Sequence, residues 1–482
     1  MKTINVDVAV IGAGTAGMTA YRSALAHTPS VLSIEGGPYG TTCARVGCMP
    51  SKLLIAAAEA AHMLEVAPKF GVHGGALRVD GMAVMKRVRE ERDRFVGFVL
   101  EAVDGWPTEH RLAGHARFTN DHQLQVDAHT LITAQRIVIA TGSSPMVPDA
   151  WREALGERLL VNDDVFAWQT LPASVAVVGA GVIGLELAQA LHRLGVKVRL
   201  YGRSARVGPL TDPALQQLCS DVFGRSLPMT LNAANMAVRR EGDDVIVRTT
   251  DSEGAAHEEH FGWLLATSGR SPNVKGLGLE NTTLPLAPNG VPVFDRRTGQ
   301  VASSHVFIAG DAADDLPLLH EAADDGRIAG DNAGRFPGVV LQPRRAGLVV
   351  VFSDPQIMIA GQGHAQLVAA GAAFATGAVS FEDQGRSRVM LKNEGALHVY
   401  AEHGTGRFLG AEMLGPAAEH LGHLLAWSVQ RGDTVQQMLD SPFYHPVIEE
   451  GLRTALRHLQ RALGLGPVPV PVPRCLDCGP GA

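Results

Sequence analysis

Apolar residues are grouped along the chain in short runs, and two of these runs lead directly into a glycine-rich turn. Residues 6–11 and residues 175–178 are the two runs, and each is followed by a Gly-x-Gly-x-x-Gly sequence. A helix is predicted after each turn, over residues 18–26 and up to residue 194, and a further apolar strand follows it. Strand, glycine turn, helix and strand in this order form the βαβ unit that binds a dinucleotide. The pattern therefore predicts two such units in one chain.

The glycines of both turns are candidate nucleotide-binding residues. They allow a tight turn and a close approach of the backbone to a pyrophosphate, which then faces the N-terminus of the helix. In the first unit the second strand ends at Glu35, where a carboxylate would bind an adenosine ribose. The glycines concerned are Gly12, Gly14 and Gly17 in the first turn and Gly179, Gly181 and Gly184 in the second.

The second unit lacks the acid that would end its second strand, residues 196–201. Gly202 stands at that place, and Arg203 and Arg206 follow. Loss of the acid together with nearby guanidinium groups favours a 2′-phosphate, and hence NADP(H) over NAD(H). The alternative is that both arginines are ordinary surface charges. Strands at residues 245–250 and 263–267 are expected to close this unit.

A third apolar strand, residues 306–309, runs into Gly310 and Asp311. It places a carboxylate at the carboxyl edge of a sheet, where ligands bind in open α/β sheets. Asp311 is therefore a cofactor-binding candidate, and so are Gly142, which follows the buried strand 137–140, and Gly269.

Two cysteines five positions apart, Cys43 and Cys48, form the candidate redox centre. A single helix would place them on different faces, whereas a disulfide requires Cα atoms within about 7 Å. The segment should therefore be irregular around Gly47, and a strained bond of this kind is easier to reduce. The alternative is a pair of unrelated core thiols. The nearby nucleotide fingerprint favours the redox centre.

The chain changes character from about residue 343. Apolar runs at residues 348–352, around Gly361, and at 388–392, 397–402 and 408–413 predict an antiparallel sheet, and helices at 417–431 and 448–463 would pack against it. Between these helices His445 is followed by a proline, with Glu450 five residues after the histidine. The pair could act as a general base and the acid that holds its tautomer, although a capping or packing histidine is the alternative.

The last residues form an alternating Pro-Val stretch that ends in Cys475-x-x-Cys478. Alternating prolines make a stiff, extended spacer. The spacer is long enough to double back towards His445. A redox shuttle, half of a thiophilic-metal site and a terminus without a role remain open for this tail.

The chain has 482 residues, and its 42 basic and 49 acidic residues give a net charge of −7. This charge argues against nucleic acid or an anionic membrane surface as a partner. We expect no membrane span and no resident metal ion. Five cysteines indicate a reducing compartment, so a cytoplasmic location is expected.

Taken together, these motifs make residues 4–463 resemble the two-cysteine flavoprotein disulfide reductases, which include dihydrolipoamide dehydrogenase, glutathione reductase and mercuric reductase. Overall the chain is most similar to dihydrolipoamide dehydrogenase-like proteins. The resemblance implies an α/β fold with two Rossmann-like dinucleotide-binding domains and a C-terminal α+β dimerisation domain, arranged as a homodimer. The expected domains are an FAD domain (1–150), an NAD(P) domain (151–275), a central FAD-binding part (276–343), an interface domain (344–465) and the tail (466–482).

The resemblance also implies roles for individual residues. Cys48 would be the thiol beside the flavin, and Cys43 would exchange with the substrate. Lys52 matches the lysine near flavin N5, and Glu186 matches its ion-pair partner. His445, held by Glu450, would serve the partner subunit's cysteines. The first-turn glycines, Glu35 and Asp311 would hold FAD, and the second-turn glycines would hold the nicotinamide nucleotide.

Three features depart from the family pattern. The family usually has Gly-Gly-Thr-Cys and an asparagine two positions after the first cysteine, whereas this chain has Thr41 before Thr42 and carries Arg45. Lipoamide enzymes usually read His-x-His-Pro-Thr, whereas here Phe443, Tyr444 and Val447 flank His445 and its proline. These differences weigh against dihydrolipoamide as the substrate.

The function predicted is an FAD-dependent NAD(P)H:disulfide oxidoreductase, similar to dihydrolipoamide dehydrogenase, that passes electrons between nicotinamide, FAD and the Cys43–Cys48 disulfide and a small-molecule or protein disulfide or dithiol substrate. The alternatives are a metal-ion reductase or metal-handling protein that uses Cys475 and Cys478, and a non-catalytic redox-responsive subunit that docks on a larger complex.

Overall fold

The computed structural model describes residues 1–233, 235–251 and 254–465. They divide into two compact units, one made of Met1–Ser204 and Leu227–Arg344, the other of Ala205–Ser226 and the chain from Arg345 onward. The predicted tail, with Cys475 and Cys478, lies outside the described residues.

The first region of unit one alternates strands and helices. Its elements are β1 (Lys2–Ile11), α1 (Thr15–Leu25), β2 (Val31–Glu35), α2 (Thr42–Val46), α3 (Cys48–Val66), α4 (Gly81–Asp104), β3 (Arg111–Ala113), β4 (Ala116–Asn120), β5 (Gln123–Val126), β6 (Thr130–Ile139) and β7 (Ser143–Pro145). The sheet has the order β3-β2-β1-β6-β5-β4. β1 is parallel to both β2 and β6, as a dinucleotide-binding unit requires.

The second region contains the other glycine turn. Its elements are α5 (Asp149–Leu155), β8 (Leu159–Val161), α6 (Asn162–Val165), β9 (Ser174–Val178), α7 (Val182–Arg193), β10 (Lys197–Tyr201), α8 (Pro213–Ser226), β11 (Met229–Thr230), β12 (Ala237–Glu241), β13 (Asp244–Thr250), β14 (Ala256–Phe261), β15 (Trp263–Ala266), β16 (Arg270–Pro272), β17 (Val306–Ile308) and α9 (Leu319–Arg335). The parallel sheet here has the order β11-β10-β9-β15-β8. α8 belongs to unit two.

One of the two strands expected to close this parallel sheet belongs elsewhere. β15 joins the sheet beside β9, but β13 is the middle strand of a separate antiparallel sheet with the order β12-β13-β14. The reason is local: Gly242 adopts a φ of 60°, which allows the tight turn that pairs β13 with β12 as a hairpin.

β17 returns to the first sheet and lies parallel to β6. The helix that follows, α9, packs closely on α1. A Cβ atom on Gly326 or Gly330 would lie 2.1 or 2.2 Å from the carbonyl oxygens of Ala16 and Ala20. These two helices therefore approach each other at backbone distance, which glycine alone permits.

Unit two is an antiparallel sheet covered by helices. Its elements from residue 345 are β18 (Leu348–Val351), β19 (Gln356–Gly361), α10 (His364–Ala369), β20 (Phe374–Ser380), α11 (Gly385–Val389), β21 (Ala396–Glu402), β22 (Phe408–Gly415), α12 (Ala418–Arg431), α13 (Val435–Leu439) and α14 (Glu449–Ala462). The strand order is β18-β19-β22-β21-β20. Side chains of α12 and α14 share one buried apolar cluster with this sheet.

The strand expected at residues 388–392 is wrong. These residues form the end of α11 and the turn after it, because Gln384 caps the helix by accepting a hydrogen bond from the Ser387 N–H at 2.7 Å. The edge of the sheet is instead β20, where Gly377 lets the strand approach α14: a Cβ at this position would lie 2.3 Å from the Ala455 carbonyl oxygen. Across the described part of the chain, no helix is both long and apolar enough to cross a bilayer.

Candidate active site

The first glycine turn forms one end of a cavity of about 720 Å³. Gly12, Gly14, Glu35 and Gly142 all line it, where β1, β2 and β6 reach their carboxyl ends. Gly12 has a φ of 106°, and a Cβ on it would lie 2.3 Å from the Ala140 carbonyl oxygen. The turn therefore packs against the end of β6 at a distance that only glycine permits, as the tight turn of a pyrophosphate-binding unit requires.

The Glu35 carboxylate is fixed at the end of β2. Its Oε2 accepts a hydrogen bond from the Ala13 N–H at 2.6 Å, and its Oε1 accepts one from the Gly37 N–H at 2.8 Å. These bonds tie the glycine turn to the neighbouring strand. The carboxylate is therefore held at the cavity wall, in the position where an acid would meet a ribose.

Asp311 is hydrogen-bonded to Ser143, which directly follows the cavity-lining residue Gly142. The Ser143 hydroxyl donates to Asp311 Oδ2 at 2.7 Å, and Arg270 Nε donates to that hydroxyl oxygen at 2.8 Å. Arg270 also donates to the Ser143 carbonyl oxygen at 2.7 Å. Sequence reasoning identified Asp311 and Gly142 but missed Ser143 and Arg270. The available signal was that they directly follow the candidate glycines Gly142 and Gly269.

The two cysteines lie on either side of a helix break. α2 ends at Val46, α3 begins at Cys48, and Gly47 between them has a non-helical backbone with φ −127° and ψ −117°. The irregularity expected at Gly47 is thus present. A Cβ there would lie 3.0 Å from the Thr42 carbonyl oxygen, so the break also brings the chain back onto itself.

This break brings the two thiols into hydrogen-bonding contact. Both are free thiols, and that of Cys43 donates to the sulfur of Cys48. This bond, with the positive charge of Lys52, lowers the pKa of Cys48 to about 7. The same hydrogen bond and burial raise the pKa of Cys43. Cys48 is also the first residue of α3, and a helix N-terminus further stabilises a thiolate.

Lys52 links the cysteine helix to the second glycine turn. Its Nζ donates to Glu186 Oε1 at 3.0 Å and to Oε2 at 2.8 Å. Lys52 lies one turn after Cys48 in α3, whereas Glu186 lies in α7 two residues after Gly184 and is 4% exposed. A carboxylate this deeply buried requires a cationic partner, so the pair also fixes the lysine beside the thiols.

The second glycine turn repeats the backbone of the first. Gly179 has a φ of 120°, and a Cβ on it would lie 2.5 Å from the Thr267 carbonyl oxygen. Gly181 caps α7, and Gly269, with a φ of 130°, lies in the turn between β15 and β16. No side chain comparable to Glu35 follows β10, because the next residue is Gly202.

The two arginines proposed for a 2′-phosphate are assigned to different units, because the boundary falls between Ser204 and Ala205. Arg203 is exposed and belongs to unit one, immediately after Gly202. Arg206 belongs to unit two and donates to the Leu210 carbonyl oxygen at 3.3 Å. Arg203 is therefore the more direct candidate for coenzyme selection.

His445 and Glu450 form a hydrogen-bonded pair in unit two. His445 Nδ1 lies 2.9 Å from Glu450 Oε2, and Arg453 donates to Glu450 Oε1 at 3.0 Å. Burial acts to raise the pKa of Glu450, but the hydrogen bonds from His445 and Val447 outweigh it and hold that pKa below its usual range. The imidazole side chain is 81% exposed, so its Nε2 is the nitrogen that can exchange a proton with another molecule.

No cluster of three or more histidine, cysteine or acidic side chains suited to a metal ion occurs within residues 1–233, 235–251 and 254–465.

Residues 6–326 match the family described as pyridine nucleotide-disulphide oxidoreductase, and residues 348–456 match the dimerisation domain of that description. Mercuric reductase of Shigella flexneri is 30% identical over 471 residues, covering 93% of this chain and 80% of that protein. Dihydrolipoyl dehydrogenase of Haloferax volcanii is 28% identical over 478 residues, covering 95% and 96%. The crystal structure of LpdA from Mycobacterium tuberculosis aligns with a TM-score of 0.79 at 26% identity, over 94% of this chain and 100% of that one.

Proposed function

Because the chain belongs to the pyridine nucleotide-disulphide oxidoreductase family, we propose that it reduces disulfides with electrons from NADPH, through FAD and the thiols of Cys43 and Cys48. Membership establishes the enzyme class, a flavin-dependent pyridine nucleotide-disulfide oxidoreductase with FAD and NAD(P) as cofactors. It also establishes two dinucleotide-binding domains followed by a dimerisation domain. The family resemblance and the fold class predicted from the sequence are thereby confirmed.

The residues around the first glycine turn fit FAD. The cavity has the size of an ordinary cofactor site, and a Cβ at Gly12 would collide with the Ala140 carbonyl oxygen, so the tight turn that lines the cavity requires glycine there. Gly12, Gly14 and Gly17 would hold the pyrophosphate, and Glu35 would hold the adenosine ribose. When bound, FAD supplies two-electron chemistry between the nicotinamide and the thiol pair.

The single observation that carries the proposal is the pairing of Cys43 and Cys48 across the helix break at Gly47, with Lys52 helping to lower the pKa of Cys48. In the reduced enzyme His445 takes the proton of Cys43, the Cys43 thiolate attacks the substrate disulfide to form a mixed disulfide, and the departing substrate thiolate receives that proton. The Cys48 thiolate then attacks the Cys43 sulfur, which restores the internal disulfide and releases the second thiol. Each cycle consumes two electrons and two protons.

His445 is proposed to supply the proton for the departing thiol. Its Nδ1 is held by Glu450, so Nε2 acts as the acid and base. The family's dimerisation domain, residues 348–456, carries both residues. We place His445 against the partner subunit's thiol pair in a homodimer. A mass measurement in solution tests the dimer.

The coenzyme assignment rests on the residues after β10. Gly202 offers no carboxylate to repel a 2′-phosphate, and the exposed guanidinium of Arg203 follows it. NADPH is therefore proposed in preference to NADH.

Steady-state turnover tests the proposal directly. The full-length protein and a truncation before Arg474 are assayed with NADPH and NADH against oxidised glutathione, lipoamide and a small protein disulfide. We expect NADPH-dependent reduction of at least one disulfide, abolished in Cys43→Ser and retained in Cys219→Ser, whose cysteine is buried elsewhere in the fold. Equal disulfide turnover in Cys43→Ser and wild type would contradict the proposal.

A second candidate is reduction of a thiophilic metal ion. Similarity to a mercuric reductase favours it, and so does the Cys475-x-x-Cys478 sequence of the tail, because a thiolate pair binds such ions. NADPH oxidation driven by Hg(II) in excess thiol should then fall in Cys475→Ser/Cys478→Ser, while disulfide turnover persists. Absence of any Hg(II)-dependent oxidation would eliminate this candidate.

A further inference from the structure

Arg45 lies between the two cysteines. Among the described residues, none forms a hydrogen bond or salt bridge with its guanidinium group. It lies in α2 and lines the cavity beside the first glycine turn. Its Nε is buried and has no hydrogen-bond partner. Burying such a donor without a partner is unfavourable, so a partner from outside the chain is expected. Asp163 lies within electrostatic reach but makes no salt bridge with it.

The aliphatic part of Arg45 is held in place. A Cβ atom on Gly40 would lie 3.1 Å from Arg45 Cδ and 2.9 Å from Val96 Cγ1, so the arginine stem packs where only a glycine leaves space. The Arg45 N–H donates to the Thr41 carbonyl oxygen at 3.1 Å. Residues four apart share one helix face, and Thr41 and Arg45 both line the cavity.

The residues that line this cavity favour the binding of an anion. The cavity contains the glycine turn at the N-terminus of α1, and the other basic side chain with a full charge is Lys275. The carboxylate of Glu35 is already occupied by two backbone amides. A planar guanidinium fork binds phosphate oxygens in a bidentate manner. The only strongly anionic part of FAD is its pyrophosphate.

We infer that Arg45 binds the pyrophosphate of FAD and thereby ties the cofactor to the helix that carries Cys43 and Cys48. This assigns a cofactor contact to one of the positions where the chain departs from the family, which usually has asparagine there. FAD binding would then stabilise the α2 segment, so that cofactor loss also loosens the thiol pair. The inference concerns FAD, and does not depend on which disulfide is the substrate.

Three variants of the holoenzyme test the inference: Arg45→Asn, Arg45→Lys, and Arg87→Asn as a matched control. Arg87 is exposed on α4, away from the cavity lining. Dissociation of FAD is followed by the fluorescence of the released flavin at several salt concentrations. We expect an FAD Kd about 10- to 100-fold higher in Arg45→Asn, a smaller increase in Arg45→Lys, and no change in Arg87→Asn.

Salt dependence separates a phosphate contact from a structural effect. Removing one charge contact should make the rise of Kd with salt shallower in Arg45→Asn than in wild type. The inference is overturned if Arg45→Asn and Arg87→Asn release FAD equally, or if Arg45→Asn retains FAD and instead raises the KM for a charged disulfide. None of these FAD measurements requires turnover. Their results can therefore be interpreted even if the protein does not reduce disulfides.

Discussion

The two glycine turns share one backbone geometry but differ in the side chains around them. Their N-caps, Gly14 and Gly181, have φ −73° and −79° and ψ −171° and −168°. A Cβ on the third glycine of each turn would lie 1.9 Å (Gly17) or 1.8 Å (Gly184) from the carbonyl oxygen of the first. The first turn is followed by Glu35 and then by the thiol pair, whereas the second is followed by Glu186, Gly202 and Arg203.

This difference separates what the backbone does from what the side chains do. In our proposal, backbone amides and a helix N-terminus bind a pyrophosphate at either turn. The side chains after the second strand are then proposed to select the nucleotide, and the proposed redox centre, Cys43 and Cys48, follows the first turn. The Lys52–Glu186 ion pair at 2.8 Å joins the two regions within unit one.

The largest effect is expected from adding a methyl group to each turn separately. Gly17→Ala would force a carbon onto the Gly12 carbonyl oxygen and should weaken FAD binding by at least about 100-fold. Gly184→Ala should keep FAD and raise the KM for NADPH by a similar factor. Flavin content and coenzyme titration measure the two effects.

The control for both variants is Gly97→Ala, because nothing lies within 4 Å of a Cβ at Gly97 in α4. It should leave both nucleotides bound. If Gly184→Ala lost FAD as completely as Gly17→Ala, the assignment of FAD to the first turn and NADPH to the second would be contradicted.

A pH titration of the reduced enzyme tests the charge beside the thiols. The pKa of Cys48 is lowered to about 7, so its thiolate should be present above that pH and disappear as the pH falls through it. Lys52→Met removes a charge that lowers this pKa and should move the midpoint upward by about one pH unit. Thiolate absorbance in the ultraviolet gives the midpoint.

Lys86→Met is the matched control for this titration, because its side chain is 69% exposed on α4. An unchanged midpoint in Lys52→Met would contradict the charge effect assigned to Lys52.

A smaller effect is expected on coenzyme choice. Arg203→Ala should lower the ratio of kcat/KM for NADPH to that for NADH by about 10-fold, since one charge-assisted contact to the 2′-phosphate is lost. Arg225→Ala, an exposed arginine paired with Glu394 at 2.9 Å, should leave the ratio unchanged. If Arg203→Ala kept the wild-type ratio, Arg203 would be an ordinary surface charge.

The smallest effect concerns Thr41, which has no counterpart at the second turn. Its φ of 59° is costly for a β-branched residue, although its hydroxyl caps α2 by accepting from the Ala44 N–H at 3.2 Å. Thr41→Gly should stabilise the holoenzyme by about 1 kcal/mol net, because strain relief exceeds the lost cap. A lower thermal midpoint than wild type would contradict this.

The elements around the turns could be predicted because their patterns are local. Glycine spacing, apolar strands and the break at Gly47 follow from steric and geometric rules that act within a few residues. The contact of Lys52 with Glu186 spans 134 positions, and nothing in the spacing of the chain encodes it, so the family resemblance alone suggested it. The Ser143–Arg270 contact was missed for the same reason.

The errors in unit two arise from competition between local signals. Residues 388–392 have apolar positions that suit a strand. Gln384 instead caps α11, so these residues form the end of that helix and the turn after it. β20 contains Ala375 and Gly377, which give a weak apolar pattern, and its position depends on close packing against α14. The domain boundaries and the roles of His445 and Glu450 stay predictions.

The most direct test of the central claim is the absorbance spectrum after anaerobic two-electron reduction with NADPH. If Cys48 is the thiol that faces the flavin, a long-wavelength charge-transfer band should form in wild type and in Cys43→Ser and be absent in Cys48→Ser. A band that persists in Cys48→Ser, with full FAD content, would contradict the proposed electron path.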